Sequence, residues 1–359
     1  MSPFSACPRF RGKIAPPMKR HLLKLILLLL LTAALLYFFG RSVEWSKIPA
    51  EIARMNVPLF LLVVLLVPSY YVTRAVRWHV LIAPEKLNVR FRNLVAANII
   101  GFTVSALIPG RLGEVVRPVY LARKEGLRTG YAVCTIVIER IFDLTTQCFL
   151  LGVFLLARPL FARSWPVGAE AGKSLTFWGT VGVSVAAALI AISLALYIFR
   201  DKALRAIGVL LKPLPERGRQ AVLRALGNFI EGLRIFRTPR QLALYSVLSL
   251  FVWLGIVLFY WILFFAYHVK VPYFMVVPFV FLTAVGASIP TPGMVGGFHY
   301  FSKLGMVLLL GIQADRAAGI TLVAHAVQIA VTCALGYAIL AREGLTLLQL
   351  RRMGESKSP

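Results

Sequence analysis

Apolar residues fall in blocks about as long as a bilayer is thick, and polar residues gather between them. Six blocks approach or exceed the roughly 20 residues a helix needs to cross. They are Leu22–Phe39, Pro58–Val80, Tyr131–Ala157, Leu175–Phe199, Leu242–Tyr267 and Ala317–Leu340. Two further stretches are apolar but interrupted. Ile108-Pro109-Gly110 separates Asn93–Ile108 from Glu114–Leu121, and Ile289-Pro290-Thr291-Pro292-Gly293 separates Tyr273–Ile289 from Phe298–Leu310. Pro and Gly free backbone N–H and C=O groups, which hydrocarbon tolerates only where protein or a water-filled cavity covers them. The pattern predicts an all-α polytopic membrane protein. It has about six full transmembrane helices plus two broken, re-entrant helical hairpins, or eight spans if the hairpins count as crossings. Corresponding breaks in two halves of a chain point to a transporter built from repeats, with its site between the breaks.

Composition agrees: 59% of the 359 residues are hydrophobic and the mean hydropathy is +0.78, which excludes an ordinary soluble domain. The first block follows Lys13, Lys19, Arg20 and Lys24, with no small-residue cleavage site after it, so it reads as a retained anchor. A net charge of +26 would suggest nucleic acid in a soluble chain. Here the charge lies between spans, where the positive-inside rule accounts for it, and no nucleic-acid partner is expected.

If each broken segment returns to its own side, the N-terminus, 74–92, 117–128, 200–240 and the C-terminal tail are cytoplasmic. Basic residues dominate all of these, whereas the outer loops pair theirs with Glu44, Glu51, Glu170 and Asp315. The first break then enters from the cytoplasm and the second from outside. The modules 58–157 and 242–340 become inverted copies within a domain at 22–341, flanked by a basic segment at 1–21 and a tail at 342–359. Ala106-Leu107-Ile108-Pro109 matches Ala287-Ser288-Ile289-Pro290, and Gly126-Leu127 and Ala132 fall opposite Gly311-Ile312 and Ala317. Between the modules, 203–236 has the spacing of a basic amphipathic helix that lies flat on an anionic leaflet.

Candidate chemistry clusters at the breaks. Arg111, Glu114 and Arg117 surround the first, and Glu114 stands where a second half-helix would start, which suits a carboxylate. Either arginine could pair with it, as scaffold or as site. Glu139 and Asp143 share one face of the next span, with Arg140 in reach of Asp143. A charge at the bilayer centre costs about 2.5–3.5 kcal/mol on insertion scales, so such residues are normally paired or functional. In the second half, His299 follows the break and His325 falls opposite Arg140, either as core histidines or as proton carriers. The breaks themselves are Pro109, Gly110 and Gly113, then Pro290, Pro292, Gly293, Gly296 and Gly297. Snorkelling and aromatic-belt roles suffice for Arg74, Arg77 and Trp78, which fall near a cytoplasmic interface. Cys7, Cys134, Cys148 and Cys333 lack metal-ligand spacing, and no hydrolase, metalloprotease or phosphate-loop motif occurs. No metal, cofactor or catalysis is expected.

The runs Pro109-Gly110-Arg111-Leu112-Gly113-Glu114-Val115-Val116-Arg117-Pro118, Glu139-Arg140-Ile141-Phe142-Asp143 and Pro290-Thr291-Pro292-Gly293-Met294-Val295-Gly296-Gly297-Phe298 resemble a known family. It is the integral-membrane, flippase-like domain of lysylphosphatidylglycerol synthases and its stand-alone bacterial and archaeal relatives. Arg74-Ala75-Val76-Arg77-Trp78 fits the same pattern, and the resemblance covers about Arg20 to Leu340. It implies a lipid-handling protein of the cytoplasmic membrane with both termini inside. In bifunctional members this domain moves an aminoacylated phospholipid outward, and a separate cytosolic domain does the synthesis. Relatives often carry Glu where His299 stands, so no role for that acid carries over.

Three readings remain open. The first is a translocase for a membrane phospholipid or polyprenyl-phosphate-type lipid. The second is a non-catalytic partner of a lipid-modifying or glycosyl transferase, and the third an ion- or proton-coupled small-solute carrier.

Overall fold

The computed structural model describes residues 18–108, 111–161, 169–211, 215–232 and 238–350. The helices are α1 (Met18–Gly40), α2 (Ile48–Ala53), α3 (Val57–Ile82), α4 (Phe91–Leu107), α5 (Gly113–Glu125), α6 (Thr129–Phe161) and α7 (Ala169–Ile198). There follow α8 (Arg200–Leu210), α9 (Glu216–Gly232), α10 (Pro239–Ala266), α11 (Val276–Ser288), α12 (Gly297–Leu310) and α13 (Ala314–Glu343). All six expected crossings are helices of 23 residues or more. Local chemistry sets several ends. Asn56 accepts a hydrogen bond from the Leu59 N–H and caps α3, with Pro58 in the first turn. Gly126 and Gly311 stop α5 and α12 in the left-handed conformation that glycine adopts freely.

Among the described residues, five stretches are long and apolar enough to cross a membrane: Val57–Ile82, Thr129–Ala157, Pro239–Ala266, Pro292–Leu310 and Ala314–Glu343. Ile26–Gly40 with Trp45–Ala53, bent by 74°, would make a sixth. The connection over 40–57, expected as an outer loop, holds a short 3-10 turn and α2. Pro292–Leu310 reaches span length only if the break is counted. The backbone at Val295 and Gly296 is not helical, so the continuous helix begins at Gly297. Its 14 residues extend about 21 Å, short of a 30 Å hydrocarbon core.

The order long helix, short pair, long helix occurs twice: α3, α4–α5, α6 and then α10, α11–α12, α13. α3 packs along α10, α4 against α13, and α11 against α6, so the two sets interlock. Each short pair closes on glycine. A Cβ on Gly113 would stand 1.7 Å from the Gly101 carbonyl oxygen, and one on Gly297 would stand 2.4 Å from that of Gly286. Over these contacts lie the Cβ of Arg117 in the first pair and of Phe301 in the second. α4 also crosses α13 closely, where a Cβ on Gly336 would collide with Thr103. The single amphipathic helix expected over 203–236 is instead two, α8 and α9, and residues 233–237 lie outside the described residues. α9 packs on α6 and buries Ile230, so part of its apolar face meets protein.

Candidate functional site

Arg74 and Arg77, one turn apart on α3, face Glu139 and Asp143, one turn apart on α6. The matched spacings let two helices meet as a charged seam in an otherwise apolar bundle. Arg74 bonds Glu139. Arg77 reaches Asp143 Oδ1 at 2.6 Å and Glu139 Oε1 at 3.4 Å. Arg117, entering from α5, makes a forked pair with Glu139 at 3.0 and 2.9 Å, the geometry a guanidinium is built for. Arg140 touches both acids, at 2.7 Å to Glu139 and 3.1 Å to Asp143.

Aromatic and polar groups line the rest. Arg117 lies over Trp78 at 4.1 Å, and Arg74 meets the adjoining Tyr70 and Phe102 rings at 5.3 and 5.1 Å. α10 supplies Trp253 Nε1, which donates to Asp143 Oδ1 at 3.2 Å, and Ser249, which lies 3.4 Å from Arg77. Trp78 donates to Thr135 at 2.8 Å.

Four guanidiniums thus share two carboxylates. Arg74, Arg77, Arg117 and both acids are buried, while the Arg140 side chain stays 43% exposed. The Nε groups of Arg74, Arg77 and Arg117 are buried without a hydrogen-bond partner. The cluster therefore carries two positive charges and several donors beyond what its own acids satisfy, and only Arg140 offers them outward.

The tips of the short pairs meet beside it. Arg111 donates to the Ala287 carbonyl, joining the first tip to the second pair, and a Cβ on Gly293 would lie 3.1 Å from the Ala106 carbonyl oxygen. Arg111 and Glu114 face each other at 3.7 Å and are partly exposed. Both interact electrostatically with Arg140. Arg111 and Met294 adopt positive φ, 55° and 61°, conformations that L residues avoid unless their surroundings enforce them. Pro109 and Gly110 lie outside the described residues. Gly113 and Gly297 close the hairpins, Gly293 and Gly296 turn the second tip at φ 58° and 90°, and Pro290 and Pro292 flank Thr291 there. His299 and His325 lie together on α12 and α13, with ring centroids 4.7 Å apart.

A profile of the lysylphosphatidylglycerol synthase TM region matches residues 23–336. The chain belongs to this family. No curated protein and no solved structure matches it. The matched stretch takes in the whole ionic cluster and both tips of this lysylphosphatidylglycerol synthase TM-region protein. What the family profile covers is the membrane, non-catalytic part of the synthase, which supports a lipid-handling role and no catalysis by this region.

Two expectations change within this family member. Arg74, Arg77 and Trp78 do not snorkel to an interface; they are 3%, 0% and 0% exposed and form the heart of the cluster. The signal was present in the sequence as Arg at i and i+3 facing Glu and Asp at i and i+4. Nothing in one sequence, however, pairs two helices 65 residues apart. Arg117 pairs with Glu139 and not with Glu114, because Gly101 and Gly113 bring α5 so close to α4 that residue 117 faces inward. Among the described residues no group of His, Cys, Asp and Glu could hold a metal, and Cys148 and Cys333 are free thiols.

Proposed function

We propose that this protein moves a lipid with an anionic phosphate, or modified phosphate, headgroup between membrane leaflets. The observation that carries the reading is the surplus of positive charge in the buried cluster, with Arg140 as its exposed member beside the meeting hairpin tips. A bare charge in hydrocarbon is costly, and a pair of acids that only half neutralises four arginines leaves a site that gains from an arriving anion. Arg140 would meet the phosphate first, with Arg111 on the hairpin tip as the second contact. Arg74, Arg77 and Arg117 hold the two acids and set the field. The acyl or prenyl chains would stay in the bilayer. Glu114 lowers the barrier for exchange by competing with the anion for Arg111. A transferase that makes or consumes this lipid is the natural partner, and the bacterial or archaeal cytoplasmic membrane the natural location.

The two glycine-closed pairs are read as re-entrant hairpins of an inverted repeat, with both termini cytoplasmic. In a variant lacking the native cysteines, single cysteines at Thr129 and Ala314 should then label from opposite sides, the first from the cytoplasm and the second from outside. Labelling from one side would contradict the inversion. Transport itself is tested in sealed vesicles holding a fluorescent phosphatidylglycerol, quenched from outside by dithionite. Vesicles with protein should lose more than half of the signal, and vesicles without it about half. Equal quenching in both would reject the translocase reading.

A further inference from the structure

The tips of the two short pairs are joined by a side-chain contact and a backbone one. Arg111, at the first tip, donates to the carbonyl of Ala287 in the last turn of α11. The N–H four residues on, at Thr291, turns back to Ile289 instead. The Ala287 oxygen is therefore left at the negative end of α11, where a cation suits it. Gly293, at the second tip, packs on the backbone of Ala106.

Both tips are strained. Three non-glycine residues among those described have a positive φ, and two of them, Arg111 and Met294, lie at the tips. Such conformations persist only where their surroundings enforce them, and they gather at clamps and switches. Arg111 is anchored on both sides. Its own carbonyl accepts from the Glu114 N–H at 3.0 Å, at the start of α5, and its guanidinium is held by α11.

The same guanidinium stands beside charged groups. Glu114 is 3.7 Å away, beyond hydrogen-bond distance, and Arg140 is near enough to interact electrostatically. The Arg111 side chain is 34% exposed, so a ligand can reach it. A phosphate arriving at Arg140 offers Arg111 a negative charge and two oxygens, the forked geometry a guanidinium favours over a single carbonyl. A ligand shifts a conformational equilibrium only by its difference in affinity for the two states. Here the difference is the N–H that Ala287 occupies while the tips are joined, and that a phosphate gains once they part.

We propose that Arg111 is a latch between the two tips, closed on the Ala287 carbonyl in the empty protein and opened when a phosphate headgroup at Arg140 takes its guanidinium. The release step rests on the phosphate reading above; the closed latch does not.

The test uses the full chain without its native cysteines, in the phosphate-free detergent dodecyl maltoside. Spin labels go on single cysteines at Leu107 and Ser288, exposed residues that end α4 and α11 beside the tips, and dipolar spectroscopy reads the distance between them. Without lipid, one short distance should dominate. Phosphatidylglycerol should move most of the population to a longer one, and glucosylceramide, which has no phosphate, should not. Arg111→Asn tolerates the left-handed backbone but is too short to reach Ala287. It should raise the separated population about tenfold without any lipid, the loss of one charge-assisted hydrogen bond. Arg111→Lys, which can still donate to the carbonyl, should keep the short distance. A wild-type distance in Arg111→Asn would overturn the latch. Phosphatidylglycerol that crosses at the normal rate in vesicles, yet leaves the tips joined, would overturn its release by phosphate. Failure of the phosphate reading looks different: no transport of phosphatidylglycerol, with tips that still part in Arg111→Asn.

Discussion

The first and second modules share a scaffold but not an interior. Each is a long helix, a pair of short helices closed on two glycines, a glycine stop in the left-handed conformation, and a second long helix. In the register that places Gly126 on Gly311, Arg74 falls on Phe259, Arg77 on Ile262, Trp78 on Leu263, Glu139 on Ala324, Arg140 on His325 and Asp143 on Gln328. Where the first module has charge, the second has an aromatic core: Phe259, Tyr260, Phe264 and Phe279 meet edge-to-face at 5.1–5.2 Å. The two modules agree where only glycine fits and differ in their side-chain chemistry. The glycine closures are what they share, and the ionic cluster is what sets the first apart.

The largest expected effect comes from breaking the charged interior. Glu139→Gln leaves four guanidiniums without their shared carboxylate, and should cost about 3–5 kcal/mol, read as a lower thermal midpoint and poor yield in detergent. Phe259→Leu, at the position matching Arg74, should cost less than about 1.5 kcal/mol. If the two variants were equally stable, the cluster would not be holding α3 and α6 together. Next come the closures the modules share. Gly113→Ala and Gly297→Ala each place a Cβ well inside the contact distance of a backbone oxygen, and both should destabilise by about 1–3 kcal/mol or more through overpacking. Gly113 should be the worse, since its clash is the shorter. A wild-type melting curve for either would refute the close approach at that hairpin.

Much of this arrangement was legible in the sequence. Blocks of apolar residues located every long helix, and the two Pro/Gly interruptions located both hairpin tips. Gly126 and Gly311 marked equivalent helix ends, and the alignment of Arg140 with His325 followed from them. Three features were not legible, for physical reasons. The pairing of Arg74 and Arg77 with α6 is a long-range contact, and a basic residue near the end of an apolar block looks the same whether it snorkels or turns inward. Gly101 and Gly286 sit inside unremarkable apolar runs, and only the partner backbone shows why they lack a side chain. The third is the packing of α9 on α6, since amphipathic spacing does not say which neighbour covers an apolar face; the division of 203–236 itself follows from Pro213 and Pro215, which a helix interior excludes.

The central claim is that exposed charge in the first module recognises phosphate. Its most direct test compares two fluorescent lipids in the same vesicles: phosphatidylglycerol, and glucosylceramide, which has a polar head but no phosphate. Arg140 is accessible, and both acids keep other arginine partners without it, so Arg140→Gln should fold normally. Wild-type protein should move phosphatidylglycerol faster, and Arg140→Gln should slow it about tenfold, the loss of one charge-assisted hydrogen bond, while the sugar lipid's rate stays the same. An Arg140→Gln protein that keeps the wild-type preference for phosphatidylglycerol would contradict the account.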